Sequence, residues 1–383
     1  MSFSTLHSIS QRVVSYLWDP EPKNTDPMTT IWLLGVEYPP PSTNTSTNDA
    51  VAEAATIWPP GFLADFESRI WLTYRSEFPA IPRSATAGGG GQIGQLSLMT
   101  TMRSHLPANA AGFTSDQGWG CMIRSGQCVL ANALQILQYG REWRKSTPAT
   151  LDEKALLSLF ADTPSAPYSI HNFVSQGESR DIRSGQWFGP TPTAQCIKAL
   201  VDAHPTSSLR VHLTYEGGNV YNETFLSTAV GANGVFQSTL LLVATRLGVD
   251  SINPVYWSAL KSTLQMPQSI GIAGGRPSSS HYFVGCQGDW LFYLDPHVVR
   301  PALEANTEEG VESCHTNRLR RLNIKDVDPS MMFAFLIRDE KEWEDWKERL
   351  VKGKGAVITV GEKEPRASAV DEVISESEGE GDM

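Results

Sequence analysis

The sequence predicts an α+β fold in one main domain with an appended lobe, on the strength of three features. Ile123, Gly126, Leu130, Ala133 and Leu137 recur at three- and four-residue steps, the period of a helix with one apolar face. Cys121 to about Tyr139 is therefore expected to be helical, with Gly140 ending it. Residues 281–286 and 290–294 are apolar runs of strand length separated by Gln287-Gly288-Asp289, the pattern of an antiparallel hairpin. Segments 209–215 and 239–246 add strands, and 331–338 resembles a buried final strand. At 383 residues, 40% of them hydrophobic, the chain is long enough to bury a large core.

Residues 1–50 are rich in Ser, Thr, Asn and Pro and are expected to be largely flexible, although 13–18 and 31–38 carry enough apolar residues to lie on the body. The folded domain is placed at 51–352. Helical spacing resumes over 62–78 through Phe62, Phe66, Ile70 and Tyr74, closed by Pro79. Residues 82–111 form a flexible Gly- and Ser-rich insertion. Helices are expected at 151–160 and 192–203, with 168–177 a helix start or loop. Between them Gly185-Gln-Trp-Phe-Gly-Pro190 is rich in turn residues, so Trp187 is either packed in the core or a loop aromatic that binds something. Residues 217–234 read as a connection with a small excursion, 254–266 as a helix, and 269–275 as a segment ending in a flexible Gly274-Gly275 hinge. Arg318 to Arg321 read as a solvated basic face and 340–351 as a closing helix. From Gly353 to residue 383 the composition turns to Gly, Glu and Ser, the mark of a disordered acidic tail.

A formal net charge of −11 argues against a nucleic-acid binder, because phosphate neutralisation needs basic patches. A partner with a basic face fits better. The most apolar run, 240–249, is interrupted by Arg246 and too short to span a bilayer, so no transmembrane segment is expected. Five cysteines without a regular framework, in a chain that shows no apolar leader, point to a reducing intracellular compartment. No Cys-x-x-Cys spacing occurs, so Cys314-His315 makes a poor zinc site and neither metal nor cofactor is expected.

The chemistry starts at Cys121, where a loop containing Gly118, Trp119 and Gly120 meets a helix. A thiol there faces unpaired backbone N–H groups and the positive end of the helix dipole, which favour thiolate. Free cysteine has a pKa of about 8.5, and such sites lower it to roughly 3.5–7.5. The competing reading is a small buried apolar residue. A nucleophilic thiolate needs an imidazole within reach. His297 and His281 are the candidates: Asp295 and His297, two apart in an extended segment, share a face, while the hairpin puts position 281 opposite the Asp295 region. Residue reasoning alone leaves both open. Tyr74 is either a core aromatic or a hydrogen-bond donor into the site.

Seven blocks, in order along residues 60–340, carry a resemblance: Arg69-Ile-Trp-Leu-Thr-Tyr-Arg75 with Phe78-Pro-Ala-Ile81; Thr114-Ser-Asp-Gln-Gly-Trp-Gly-Cys-Met-Ile-Arg124; Gly185-Gln-Trp-Phe-Gly-Pro190; Arg246-Leu-Gly-Val-Asp-Ser-Ile-Asn253; Pro267-Gln-Ser-Ile-Gly271 with Gly274-Gly-Arg-Pro277; His281-Tyr-Phe-Val-Gly285; and Leu294-Asp-Pro-His297. The chain resembles the autophagins, the autophagy-related protein 4 family of cysteine proteases. That resemblance implies a papain-like fold with a small auxiliary subdomain, placed within 150–250. It implies Cys121 as nucleophile, His297 as base, Asp295 as its orienter, Tyr74 as oxyanion-hole donor, and Trp187 with the loop around Met266 to Gly275, including Gly274 and Gly275, as substrate-binding gate. The implied substrate is the ubiquitin-like modifier autophagy-related protein 8, cut after its C-terminal glycine during precursor maturation and released from phosphatidylethanolamine at membrane surfaces by delipidation. A monomer is expected, cytoplasmic and recruited to autophagosomal membranes, with the nucleus a second location. The alternatives are a protease for another ubiquitin-like protein and a non-catalytic modifier-binding adaptor. Phe3-Ser-Thr-Leu6 has the form of a modifier-docking motif, a pattern common by chance.

Overall fold

Apolar side chains along residues 331–337 and 240–243 alternate between two separate hydrophobic cores, which makes their strands the middle layer of the molecule. The computed structural model describes residues 21–41, 57–84, 112–204, 208–214, 217–277, 279–352 and 356–365. Segment 13–18, the Phe3–Leu6 motif, residues 85–111 of the insertion and the tail from 366 lie outside the described residues. In chain order the elements are β1 Ile31–Leu33, β2 Val36–Tyr38, α1 Pro60–Glu67, β3 Arg75–Pro82, β4 Gly112–Ser115, α2 Cys121–Tyr139, α3 Leu151–Ser158, α4 Ile170–Glu178, α5 Pro190–Ala203, β5 Arg210–Thr214, β6 Asn219–Tyr221 and α6 Asn222–Ala229. There follow β7 Thr239–Arg246, α7 Trp257–Gln265, β8 Ser269–Arg276, β9 Ser279–Gln287, β10 Trp290–Leu294, β11 Arg300–Pro301, α8 Glu308–Glu312, β12 Arg321–Asn323, β13 Ser330–Ile337, α9 Glu340–Lys352 and β14 Thr359–Gly361.

The fold is α+β. Its main sheet runs β12-β10-β9-β8-β13-β7-β5, and β1, with β2 beside it, takes up the far end of the β9 edge that β8 leaves free. Only β5 and β7 pair in parallel within it. Met332, Ala334 and Leu336 face a core shared with α1 to α5, whereas Met331, Phe333, Phe335 and Ile337 face one shared with α6, α7 and α9. Burial on both faces explains why these strands read as continuous apolar runs. A second sheet, β11-β3-β4, lies beside the first, and β6 pairs with β14 in a small parallel ladder.

Several elements depart from the sequence reading. The helix expected over 62–78 ends at Glu67, and Arg75–Pro82 is a strand. Between them the backbone is held by α2 instead of by its own helical bonds: Gln135 Nε2 donates to Ser68 O at 3.1 Å, Asn132 accepts from Ile70 N and donates back to Ile70 O, and Leu72 N donates to Cys128 Sγ at 3.1 Å. Helix α2 runs from Cys121 to Tyr139 with Gly140 (φ +79°) after it, as expected, but it is buried on every side from Cys121 through Ile136. Its polar residues Arg124, Gln127, Asn132 and Gln135 are the ones that bond neighbouring segments. Segment 331–338 is central in the sheet and is not the final strand. Inside the segment expected to be a disordered tail from Gly353, Thr359–Gly361 is a strand that pairs with Asn219–Tyr221. Arg318–Arg321 is not a solvated face throughout: Arg320 is buried, and Arg321 lies over Trp290 and Trp58.

Candidate active site

The loop before α2 folds back on itself around Asp116. Its carbonyl accepts from Trp119 N and Gly120 N, Gly118 takes φ +89°, and its carboxylate accepts from Arg75 N at 2.6 Å and Arg124 Nε at 2.8 Å. Arg124 also reaches Asp162 at 2.8 Å, and Asp162 accepts from Leu303 N. Burial opposes the charge of this guanidinium, and the two carboxylates more than offset it. A Cβ at Gly120 would stand 2.2 Å from Asp116 Oδ2, so only glycine lets the helix start this close. The result fixes Cys121 at the first position of α2, fully buried, with the unpaired N–H groups of the first turn beside it.

The residues leading from α1 into β3 clamp the other half of the site. Trp71 Nε1 donates to Asp295 O at 2.7 Å, Tyr74 N to Pro296 O at 2.8 Å, and Arg300 N to Tyr74 O at 3.0 Å. Asp295 follows β10 directly, and its Oδ1 accepts from both His297 N at 3.0 Å and His297 Nδ1 at 2.6 Å. That places the imidazole proton on Nδ1 and leaves Nε2 free. Nε2 is buried and turned to the Cys121 sulfur. The Tyr74 ring meets the His297 ring edge-on with centroids 5.4 Å apart.

Electrostatics single out one thiol. Burial pushes Cys128, Cys196 and Cys286 up to about 12 and also raises Cys314. Burial acts the same way on Cys121 but is outweighed by the His297 imidazole, the Ser280 N–H and the Tyr74 hydroxyl, so Cys121 is lowered. His297 is pulled down by burial, yet the hydrogen bond to Asp295 and the neighbouring Cys121 carry it up to about 9. Asp295, pushed up by burial, is brought down to about 2 by His297. Burial, then the charge at Cys121, raises the Tyr74 phenol, which remains a donor. His281 is lowered by burial to about 4 and stays neutral, its ring 5.3 Å from that of His297. A thiolate balanced by an imidazolium at a helix start is equipped to attack a carbonyl and return a proton to the departing group.

Cys121, His297, Asp295 and Tyr74 are thus brought together. Trp187 lies half-buried on the loop between α4 and α5, packed against the core that includes α2, and its indole N–H is buried without a partner among the described residues. Gly274 and Gly275, read from sequence as a hinge, are inside β8: they pair with His281 and Ser280, and a Cβ at Gly274 would meet Met331 of β13 at 2.7 Å. Close packing between strands, not hinge motion, accounts for glycine at position 274. Sequence reasoning missed Asp116, Arg124 and Ser280; the first two lie within a matching block, and Ser280 carries no signal of its own. Among the described residues, His281, Asp295 and His297 alone bring three metal-type ligand atoms within 4.8 Å of one another, and the Asp295–His297 hydrogen bond accounts for that grouping without an ion. No described helix is long and apolar enough to cross a membrane.

A buried, acidified thiol facing an Asp-held imidazole defines a cysteine peptidase. Comparison with known proteins narrows this: residues 59–349 match the Peptidase C54 catalytic domain. The chain is 48% identical to the probable cysteine protease atg4 of Aspergillus niger, over 95% of this chain and 96% of that protein. It is 47% identical to the cysteine protease atg4 of Emericella nidulans, over 97% and 98%, and 48% identical to the cysteine protease ATG4 of Pyricularia oryzae, over 91% and 74%. The chain belongs to the Peptidase C54 family, papain-like cysteine peptidases of autophagy, as the resemblance of its motifs implied.

Proposed function

We propose that this cysteine peptidase cleaves the ubiquitin-like modifier autophagy-related protein 8 after its C-terminal glycine, both in the precursor and in the phosphatidylethanolamine conjugate. The observation that carries the reading is the convergence on Cys121 of His297, which Asp295 holds at 2.6 Å. Cys121 attacks the glycine carbonyl; the oxyanion is met by the Tyr74 hydroxyl and the N–H groups at the start of α2; His297 protonates the departing amine; and water releases the acyl-enzyme. Precursor peptide and phospholipid headgroup are both amines acylated by glycine, so one mechanism serves both. Trp187, with the end of β8 that carries Gly274 and Gly275, narrows access so that a residue without a side chain is preferred. The enzyme acts as a monomer in the cytoplasm and meets the conjugate at membrane surfaces.

The test incubates the full chain with a modifier precursor and with the lipid conjugate on vesicles. Cleavage after glycine is expected on both. Failure on the precursor overturns the proposal, and cleavage of ubiquitin fusions in its place reassigns the substrate.

A further inference from the structure

Three residues act on the Cys121 sulfur: His297 through its ring, Tyr74 through its hydroxyl, and Ser280 through its backbone N–H. His297 Nε2 and Tyr74 OH are buried against that sulfur, whereas Ser280 Oγ is buried with no hydrogen-bond partner among the described residues. Burying an unpaired hydroxyl is costly, and one placed beside a reacting sulfur calls for a role there. The first two have roles in the reaction above. Ser280 has none.

Its placement is fixed. Ser280 is fully buried near the start of β9, paired with Gly275 of β8. Strand alternation turns it to the same face as Tyr282 and Val284, which pack into the core around α2, and away from Phe283, which packs into the other core. Ser280 therefore reaches the sulfur from the β8–β9 hairpin, whereas Tyr74 reaches it from the segment before β3. A carbonyl oxygen directed at Tyr74 and the first turn of α2 leaves the amide N–H of the same residue toward the hairpin.

We infer that Ser280 is a substrate-contacting residue whose hydroxyl accepts a hydrogen bond from the main-chain N–H of the glycine that Cys121 attacks. The contact seats the glycine for attack. It needs a close approach of substrate backbone to a buried side chain, which a residue without Cβ allows. The inference rests on the glycine-ended substrate proposed above. Wild-type cleavage of the precursor tests that reading, and the ratio of variant to wild type tests Ser280.

Ser280→Ala removes the hydroxyl and keeps the backbone N–H at the sulfur. The expected result is a fall in kcat/KM of about tenfold on the precursor, from leaving a buried peptide N–H unpaired. The alkylation rate of Cys121 by iodoacetamide should match wild type at every pH, and the thermal midpoint should be unchanged or higher because an orphaned hydroxyl is gone. Undiminished cleavage overturns the inference. So does a parallel loss of alkylation rate or of thermal stability, either of which makes the residue a support for the thiol or the fold. A second arm needs no variant: with the terminal glycine replaced by glycolate, the wild-type enzyme should lose about tenfold, and equal rates on the two substrates overturn the inference.

Discussion

Asp295→Asn gives the sharpest test of the ion pair. Burial opposes the His297 cation, yet Asp295 and Cys121 lift it from the usual 6.5 to about 9, a preference for imidazolium of about 3 kcal/mol. The hydrogen bond to Asp295 is the largest of the contributions that raise it. A raised pKa means that the imidazolium holds through neutral pH and is lost as pH rises through about 9. Cys121 is lowered, so its thiolate is kept above that depressed value and lost below it. The competent form occupies the window between. Asparagine keeps the shape of Asp295 but removes its charge, and its amide can present N–H toward Nδ1, driving the remaining ring proton to the nitrogen that must face the thiol. The alkaline limb of kcat/KM on the precursor should move down by about one to two pH units, and the rate near pH 8 should fall about a hundredfold or more. Iodoacetamide alkylation of Cys121, followed over the same range, reports the thiolate without substrate. An asparagine variant that keeps the wild-type alkaline limb refutes the assignment of Asp295 as the group that holds His297.

Cys121→Ser should abolish turnover while retaining modifier binding by calorimetry; residual cleavage above background in pure variant rejects the nucleophile. His297→Ala should lose activity by at least about a thousandfold, and His281→Ala far less, because only His297 has both an Asp295 hydrogen bond and an influence on the sulfur; the reverse ranking of kcat/KM reassigns the base. Arg124→Met leaves Asp116 and Asp162 buried without their cation and should cost about 3–5 kcal/mol in urea unfolding, so an unchanged midpoint means that the network does not hold the fold. Gly120→Ala drives a Cβ into Asp116 and should destabilise by about 1–3 kcal/mol with loss of activity, measured by thermal denaturation and precursor cleavage; wild-type values for both show that the loop yields freely.

Much of the fold is legible because local and tertiary demands agree. Helix α2 has the right period, a glycine stop, and polar residues that bond outward to neighbours. The β9–β10 hairpin needs only its turn and its apolar runs. Residues 68–74 are illegible for the opposite reason. Phe62, Phe66, Ile70 and Tyr74 have helical spacing, but α2 supplies Asn132, Gln135 and the Cys128 sulfur as hydrogen-bond partners from 56 to 67 residues away in sequence, and these take the backbone before α1 can extend past Glu67. Residues 359–361 mislead similarly: a short polar strand acquires its structure from the edge of β6, which no local pattern announces.

The site divides along the same line. Cys121 shows itself because a helix start makes its own electrostatic environment, and Asp295 with His297 because two residues suffice to make the pair. The choice between His281 and His297 does not show itself, since the hairpin brings both rings to one place, 5.3 Å apart. What separates them is one oxygen. Asp295 Oδ1 accepts from His297 at both its backbone N and its ring Nδ1, which turns Nε2 toward the thiol, while burial holds His281 neutral at about 4. Such a distinction depends on the direction of a lone pair, and lone pairs are oriented by the clamp that Trp71 and Tyr74 place on the carbonyls of residues 295 and 296, more than 200 residues away in the chain. Ser280 belongs with His281 in this respect: its place beside the sulfur is set by strand pairing with Gly275, and its hydroxyl is marked out by having no partner among the described residues, which no sequence records.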